Sequence, residues 1–173
     1  MINDKLQKAL NEQINAELHS AYIYLSMSAY FESLGLDGSA HWMKLQAQEE
    51  LMHGLKFYDY MVVSGGRILL SPVEGPATSW DSPLAAFEAA LAHERHMTRR
   101  CNDLASLAIA EKDHATNNLV QWFVTEQVEE EANVENIVQK LKLLGRDGPG
   151  LFMMDRELKA RAVAPAAGGG AAN

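Results

Sequence analysis

The chain has 173 residues, 47% of them hydrophobic and 22% charged, the balance of one soluble globular domain with a sizeable core. A formal net charge of -8 argues against nonspecific nucleic-acid binding, and a single cysteine, Cys101, excludes a disulfide framework or a cysteine-built zinc or iron–sulfur site. The opening "MINDKLQKALNEQ" lacks the basic start and apolar run of a signal peptide, and no apolar run approaches the roughly 18 residues of a membrane span, so a cytoplasmic setting without membrane partners is expected.

In chain order, the pattern predicts four long amphipathic helices and a short fifth. The first runs from Asp4 to Leu34, with Leu6, Leu10, Ile14, Leu18, Ala21, Leu25 and Ser28 at three- and four-residue steps, and stops at Gly35. Ser39 is the expected N-cap of the second, which reaches Ser64 and is stopped by Gly65-Gly66. Residues 66 to 81, "GRILLSPVEGPATSWD", hold two prolines and little periodicity, and predict an extended connection. Ser82 caps the third helix, with Pro83 in the first turn where its missing N–H costs nothing; it runs to Glu111. The fourth spans Thr116 to Leu144, with Gly145 as a left-handed C-cap. "GPGLFMMDRELKARA" supports the fifth helix, and residues 163–173, rich in alanine and glycine, predict a flexible tail beyond a domain of residues 1–162. A long link between the second and third helices can run the length of a helix. Those two can then lie parallel, which makes the expected fold an all-α four-helix bundle with one long crossover and a short C-terminal helix.

The apolar stripes carry acids at mid-helix depth. Glu17 falls in the stripe of the first helix, with Tyr24 one heptad later on the same side. Trp42, Leu45, Gln46, Glu49, Glu50, His53, Phe57 and Tyr60 trace the inward face of the second. Leu84, Phe87, Leu91, Glu94, Thr98, Cys101 and Ala105 do so on the third, and Val120, Phe123, Gln127, Glu130, Val134, Ile137 and Leu141 on the fourth, with Glu126 and Glu129 at the edge. Burying one unpaired carboxylate costs several kcal/mol, and no lysine or arginine falls on these stripes near the acids; Lys56 and Arg95 project from other faces. Metal cations are the economical counter-charge. Carboxylates with one imidazole suit iron or manganese and also take zinc. Two Glu-x-x-His pairs plus two single glutamates make a carboxylate-bridged di-metal site. Here Glu50-x-x-His53 supplies one pair, but Gln127-x-x-Glu130 replaces the other, which predicts an asymmetric centre with a weaker second site.

At these residues the chain closely resembles the bacterial non-haem ferritins, through "LNEQINAELHSAYIYLSMSAY", "AQEELMH", "HERH", "LQWFVTEQVEEE" and "GPGLFMMDRELKAR". The resemblance implies a homo-oligomeric hollow shell of 24 subunits, and a di-iron ferroxidase centre that oxidises Fe(II) with dioxygen or hydrogen peroxide and stores ferric mineral. It implies Glu17, Glu50 and His53 as the first iron site, with Glu50 bridging, and Glu94 and Glu130 as the second. Gln127 is implied as a polar neighbour of that site. Glu49, Glu126 and Glu129 match a third, inner iron site, Tyr24 a tyrosine that hydrogen-bonds the centre, and Trp122 a nearby tryptophan. Two metals bridged by carboxylates let dioxygen take an electron from each.

Rival readings each lack something here. Bacterioferritin has histidine where this chain has Glu130, and its haem methionine lies one residue after the bridging glutamate rather than two, as Met52 does, so no haem is expected. Rubrerythrin-type peroxidases add a Cys-x-x-Cys domain, and DNA-protecting mini-ferritins place metals at a dimer interface. A bundle without metal chemistry is the alternative of a different class. His19, His41, His93, His96 and His114 are expected at the surface or edge, and Cys101 as a buried small residue.

Overall fold

The structure, a computed structural model, describes residues 2–145 and 148–162. These hold five helices, α1 (Asp4–Ser33), α2 (Asp37–Val63), α3 (Pro83–Ala110), α4 (His114–Leu144) and α5 (Gly148–Lys159), and no strand among the described residues. The all-α bundle with a short fifth helix is therefore as expected. The predicted tail, residues 163–173, lies outside the described residues.

Local chemistry sets the helix ends. The Asn3 side chain accepts from the Leu6 N–H, Ser82 from Ala85 and Asp113 from Thr116, so α1, α3 and α4 each start on a side-chain cap. Gly35 and Gly65, both at φ 71°, close α1 and α2. The N–H of the next residue reaches back in each case, Leu36 to the Phe31 carbonyl and Gly66 to that of Met61. The start of α2 differs from expectation. Ser39 lies inside the helix, and the cap comes from α5: Asp155 accepts from the backbone N–H groups of Gly38 and Ser39 at 2.9 and 2.7 Å and from the Ser39 hydroxyl at 2.8 Å. A carboxylate at a helix N-terminus also meets the positive end of its dipole. A Cβ on Gly38 would stand 1.7 Å from the Asp155 carbonyl oxygen, so only glycine admits α5 here. At the other end of α4, Gly145 has φ 60° but ψ -121°, so its backbone is not the left-handed helical cap that was predicted.

Residues 66–82 run along α1. The N–H groups of Arg67 and Leu69 bond Gln7 and Asn11 near its start; the carbonyls of Ala77 and Trp80 accept from Ser26 and Tyr30 near its end. The chain thus leaves α2 at one end of the bundle and begins α3 at the other, which makes α2 and α3 parallel.

The core comes in two blocks. One is built on Tyr24, Met27, Phe31, Trp42, Phe87, Leu91, Val134 and Ile137, the other on Leu6, Leu10, Ile14, Phe57, Met61, Leu104, Val120 and Phe123. Every long helix passes through both, and on each the acids singled out above fall between them. On α1 the buried line runs Gln13, Ile14, Glu17, Ser20, Tyr24, Met27, Phe31. Leu25, expected inward, is half exposed; Leu18 and Leu25 each follow a residue on the middle of the buried face, Glu17 and Tyr24, and one residue is about 100° of helix.

Candidate metal centre

The break between the two core blocks is a layer of polar side chains shut off from solvent. Glu17, Glu50, Glu94 and Glu130 are 2, 2, 0 and 4% exposed, and His53 is 7%. Gly54 sets the spacing of α1 and α2 at this level: a Cβ there would lie 3.3 Å from the Glu17 Cβ. Across that close approach, one ligand atom each of Glu17, Glu50 and His53 lie within 4.8 Å of one another, the span of a single metal's ligands. Phe123 and Trp122 present their rings edge-on to His53, both at 5.6 Å between centroids, and fix the imidazole in place.

Glu94 and Glu130 face the same layer, each held by donors. Tyr24 donates its hydroxyl proton to Glu94 Oε1, and Gln127 Nε2 donates to Glu94 Oε2 at 3.1 Å. Gln46 Nε2 donates to Glu130 Oε2 at 2.7 Å. The carbonyl oxygen of the same Gln46 is buried without a hydrogen-bond partner. An unsatisfied buried acceptor costs free energy, and beside Glu130 it suits a cation or the water bound to one.

Four carboxyls in so dry a layer cannot all ionise. Burial, then the Glu50 charge, holds the Glu17 carboxyl well above the usual carboxylate range. Burial, then the Glu94 charge, does the same to Glu50, and Glu94 is raised against the opposing bonds from Tyr24 and Gln127. Glu130 is pushed up to about 7 by burial and by Glu94, with Gln46 pulling the other way. Without cations the layer is a store of protons that a divalent ion would displace. Buried acids, one imidazole and an orphaned oxygen make a donor set that fits divalent iron.

Of the residues expected inward, Glu17, Glu50, His53, Glu94, Gln127, Glu130 and Tyr24 therefore meet in one layer. The expected inner set does not. Glu49 is paired with Arg161, Nη2 to Oε2 2.7 Å; Glu126 is only partly buried, and Glu129 is exposed. These three are not among the clusters of metal-ligand type that the described residues form. No lysine or arginine falls on the four stripes, but two arginines reach in from outside them. Arg161, beyond the four stripes, reaches Glu49, and Arg100 reaches Gln13 (Nε to Oε1, 3.2 Å), whose Nε2 donates to Glu17 at 2.8 Å. Arg95 stays outside, on Glu131 and Glu135, whereas Lys56 lies 3.2 Å from the centre of the Trp122 ring, next to the layer.

Two further residues support the layer. Gln13, 2% exposed, sits four before Glu17, and that spacing on a buried stripe was the available signal. His93 is not a plain edge residue: its Nε2 is 2.7 Å from the Ser20 hydroxyl, its ring stands edge-on to Tyr24, and burial pushes it down to about 4, so it is neutral. Cys101 is buried as expected.

The Ferritin-like domain family matches residues 7–144. A bacterial non-heme ferritin of Bacteroides fragilis is 46% identical over 161 residues, 93% of this chain and 100% of the relative. One from Escherichia coli O157:H7 is 36% identical over 158 residues, 91% of this chain and 96% of the relative. Among solved structures, an open pore ferritin from the archaeon Archaeoglobus fulgidus superposes with a TM-score of 0.93 at 52% identity, covering 94% of this chain and 100% of its own. A closed form engineered from that ferritin by site-directed mutagenesis matches with a TM-score of 0.93 at 51% identity, over 95% of this chain and 100% of its own. The chain belongs to the ferritin-like domain family, on the side of the bacterial non-haem ferritins.

Proposed function

We propose that the chain is a cytoplasmic iron-storage subunit that oxidises Fe(II) to Fe(III) at the buried layer, with dioxygen or hydrogen peroxide as oxidant. Twenty-four copies would enclose the ferric mineral. The observation that carries this reading is the convergence of Glu17, Glu50 and His53 in a layer that also holds Glu94 and Glu130. Family membership and the ferritin relatives support it.

Fe(II) is the substrate. Glu17, Glu50 and His53 would hold one ion and Glu94 and Glu130 a second, with Glu50 between them, so that an oxidant can draw one electron from each. Gln13 and Gln127 orient Glu17 and Glu94, and Gln46 orients Glu130 while offering its free oxygen. Tyr24, bonded to Glu94, sits where it can steady that carboxylate or give an electron. Iron arrival releases the protons these acids hold, and carboxylates favour Fe(III) over Fe(II). Glu130, standing where the second pair would have histidine, makes the second ion the weaker held and the readier to leave. The same Glu130, with the position of Met52, argues against a haem-binding form.

Leu51, Leu55, Tyr58 and Val62 form an exposed apolar line on α2 at helical spacing. Such a strip supports assembly with further copies. No described helix is long and apolar enough to cross a membrane. Aerobic addition of Fe(II) to the metal-free protein tests the reading. Ferric absorbance should rise faster than in buffer, and Glu50→Ala should return it to the buffer rate. An unchanged rate in that variant would sink the proposal, and sedimentation tests the shell.

A further inference from the structure

Two of the three tryptophans flank the metal layer, and each has a cation on its ring face. Trp122, half-buried on α4, stands edge-on to His53 at 5.6 Å, and the Lys56 ammonium lies 3.2 Å from its centre. Partial burial lowers the Lys56 ammonium below its ordinary range, and the nearby Glu126 charge opposes that shift. Trp42, buried on α2, stands edge-on to Tyr24 at 6.5 Å, and the Arg161 guanidinium lies 4.7 Å from its centre. The pair with Glu49, Nη2 to Oε2 2.7 Å, holds Arg161 there. Trp80, packed on Tyr30 farther along α1, carries no cation among the described residues. Nor does the ring of Tyr24, whose neighbours are Trp42, the neutral His93 and the carboxyl of Glu94.

We propose that Lys56 and Arg161 hold Trp122 and Trp42 out of the redox chemistry, so that an electron the iron cannot supply is drawn from Tyr24. The inference rests on the proposed oxidation of Fe(II) at the layer. Hydrogen peroxide takes two electrons on its way to water. With both irons in place each gives one; with the weaker second site empty, one electron must come from a side chain. If Tyr24 gives it, Fe(II), hydrogen peroxide, one proton and the phenol become Fe(III), two waters and a neutral tyrosyl radical. The phenolic O–H breaks, and its proton leaves by way of Glu94, to which the hydroxyl already donates. If Trp122 gives it, two protons come from solvent and the indole is left as a radical cation. An ammonium or guanidinium is attracted to the face of a neutral indole and repelled by an oxidised one, so both effects oppose loss of the electron. In a half-buried contact that repulsion is only partly screened. The tyrosyl radical carries no added charge and faces no cation. Lys56 and Arg161 touch no reacting atom; they select which ring gives the electron.

The test uses the assembled full chain, loaded anaerobically with fewer Fe(II) than subunits and mixed with hydrogen peroxide. Freeze-quenched samples are read by electron paramagnetic resonance, and peptides by mass for oxygen added to tryptophan; carried through, tryptophan and hydrogen peroxide give hydroxytryptophan and water. The parent should give a tyrosyl signal that Tyr24→Phe loses, with little oxygen added at Trp122 or Trp42. Lys56→Met keeps the aliphatic stem without the charge. It should give a tryptophanyl signal and raise oxygen addition at Trp122 on the order of tenfold. Lys56→Arg should stay with the parent. Arg161→Gln should move the gain to Trp42, and this arm decides the matter if Lys56→Met fails to assemble. Iron-free protein in the same peroxide should show no gain in either variant, whereas simple exposure of the rings would give one. A gain that appears without iron, a Lys56→Arg that rises as far as Lys56→Met, or an unchanged Trp122 in Lys56→Met would each overturn the proposal. Fe(II) oxidation no faster in the parent than in Glu50→Ala would instead overturn the reading of the four-helix layer.

Discussion

Replacing Glu130 by glutamine should change how the stability of the metal-free protein depends on pH. Glu130 is 4% exposed, and burial with the neighbouring Glu94 charge raises its carboxyl from the ordinary 4.5 to about 7. The folded chain therefore holds a proton there that the unfolded chain has given up between those two values. Stability from this group is fully present below about pH 4.5 and is lost as pH rises through about 7. At about 1.4 kcal/mol for each pH unit between the two values, the loss is on the order of 3 kcal/mol per subunit. Glutamine keeps the shape and has no proton to lose. Guanidinium unfolding with a chelator present, at steps from pH 4 to pH 8, should show the variant gaining on the parent by roughly that amount. A difference that stays flat across the range, or that moves in the parent's favour as pH rises, would refute the reasoning.

Tyr24→Phe removes the proton donated to Glu94, and should slow iron oxidation measured by stopped flow while leaving Zn(II) stoichiometry intact. Gln46→Leu takes the Nε2 donor from Glu130 and an oxygen from the layer, and should weaken Zn(II) binding at the second site on the order of tenfold. Gly38→Ala forces a Cβ into the Asp155 carbonyl, and should detach α5 and cost about 2–4 kcal/mol in denaturant midpoint titrations. Gly54→Val widens the α1–α2 approach, and should lower Zn(II) affinity more than it lowers helix content by circular dichroism.

The sequence made the bundle legible because its signals are local and repeated: caps at Ser82, stops at Gly35 and Gly65, and one proline-bearing link long enough to cross the bundle. The acids of the layer were legible for the same reason, since Glu17, Glu50, Glu94 and Glu130 interrupt stripes that are otherwise apolar. What escaped was set by contacts between distant segments. Asp155 caps α2 from more than a hundred residues away, and no pattern around Ser39 announces it. Arg161 takes Glu49 from outside all four stripes, so a search for cations along the helices could not find it. Gln13 and Gln46 read as polar residues on inward faces; only their partners, Glu17 and Glu130, give them roles. At Leu25 the repeat has the right period but lies one residue, about 100° of helix, past the buried Tyr24.

If the buried layer is where iron is held and oxidised, iron must be found there. Anomalous diffraction at the iron edge, from crystals of metal-free protein soaked anaerobically in Fe(II), tests it most directly. One peak is expected among Glu17, Glu50 and His53 and a weaker one beside Glu94 and Glu130, with both lost in Glu50→Ala. A layer without iron under conditions where the protein still oxidises Fe(II) would contradict it.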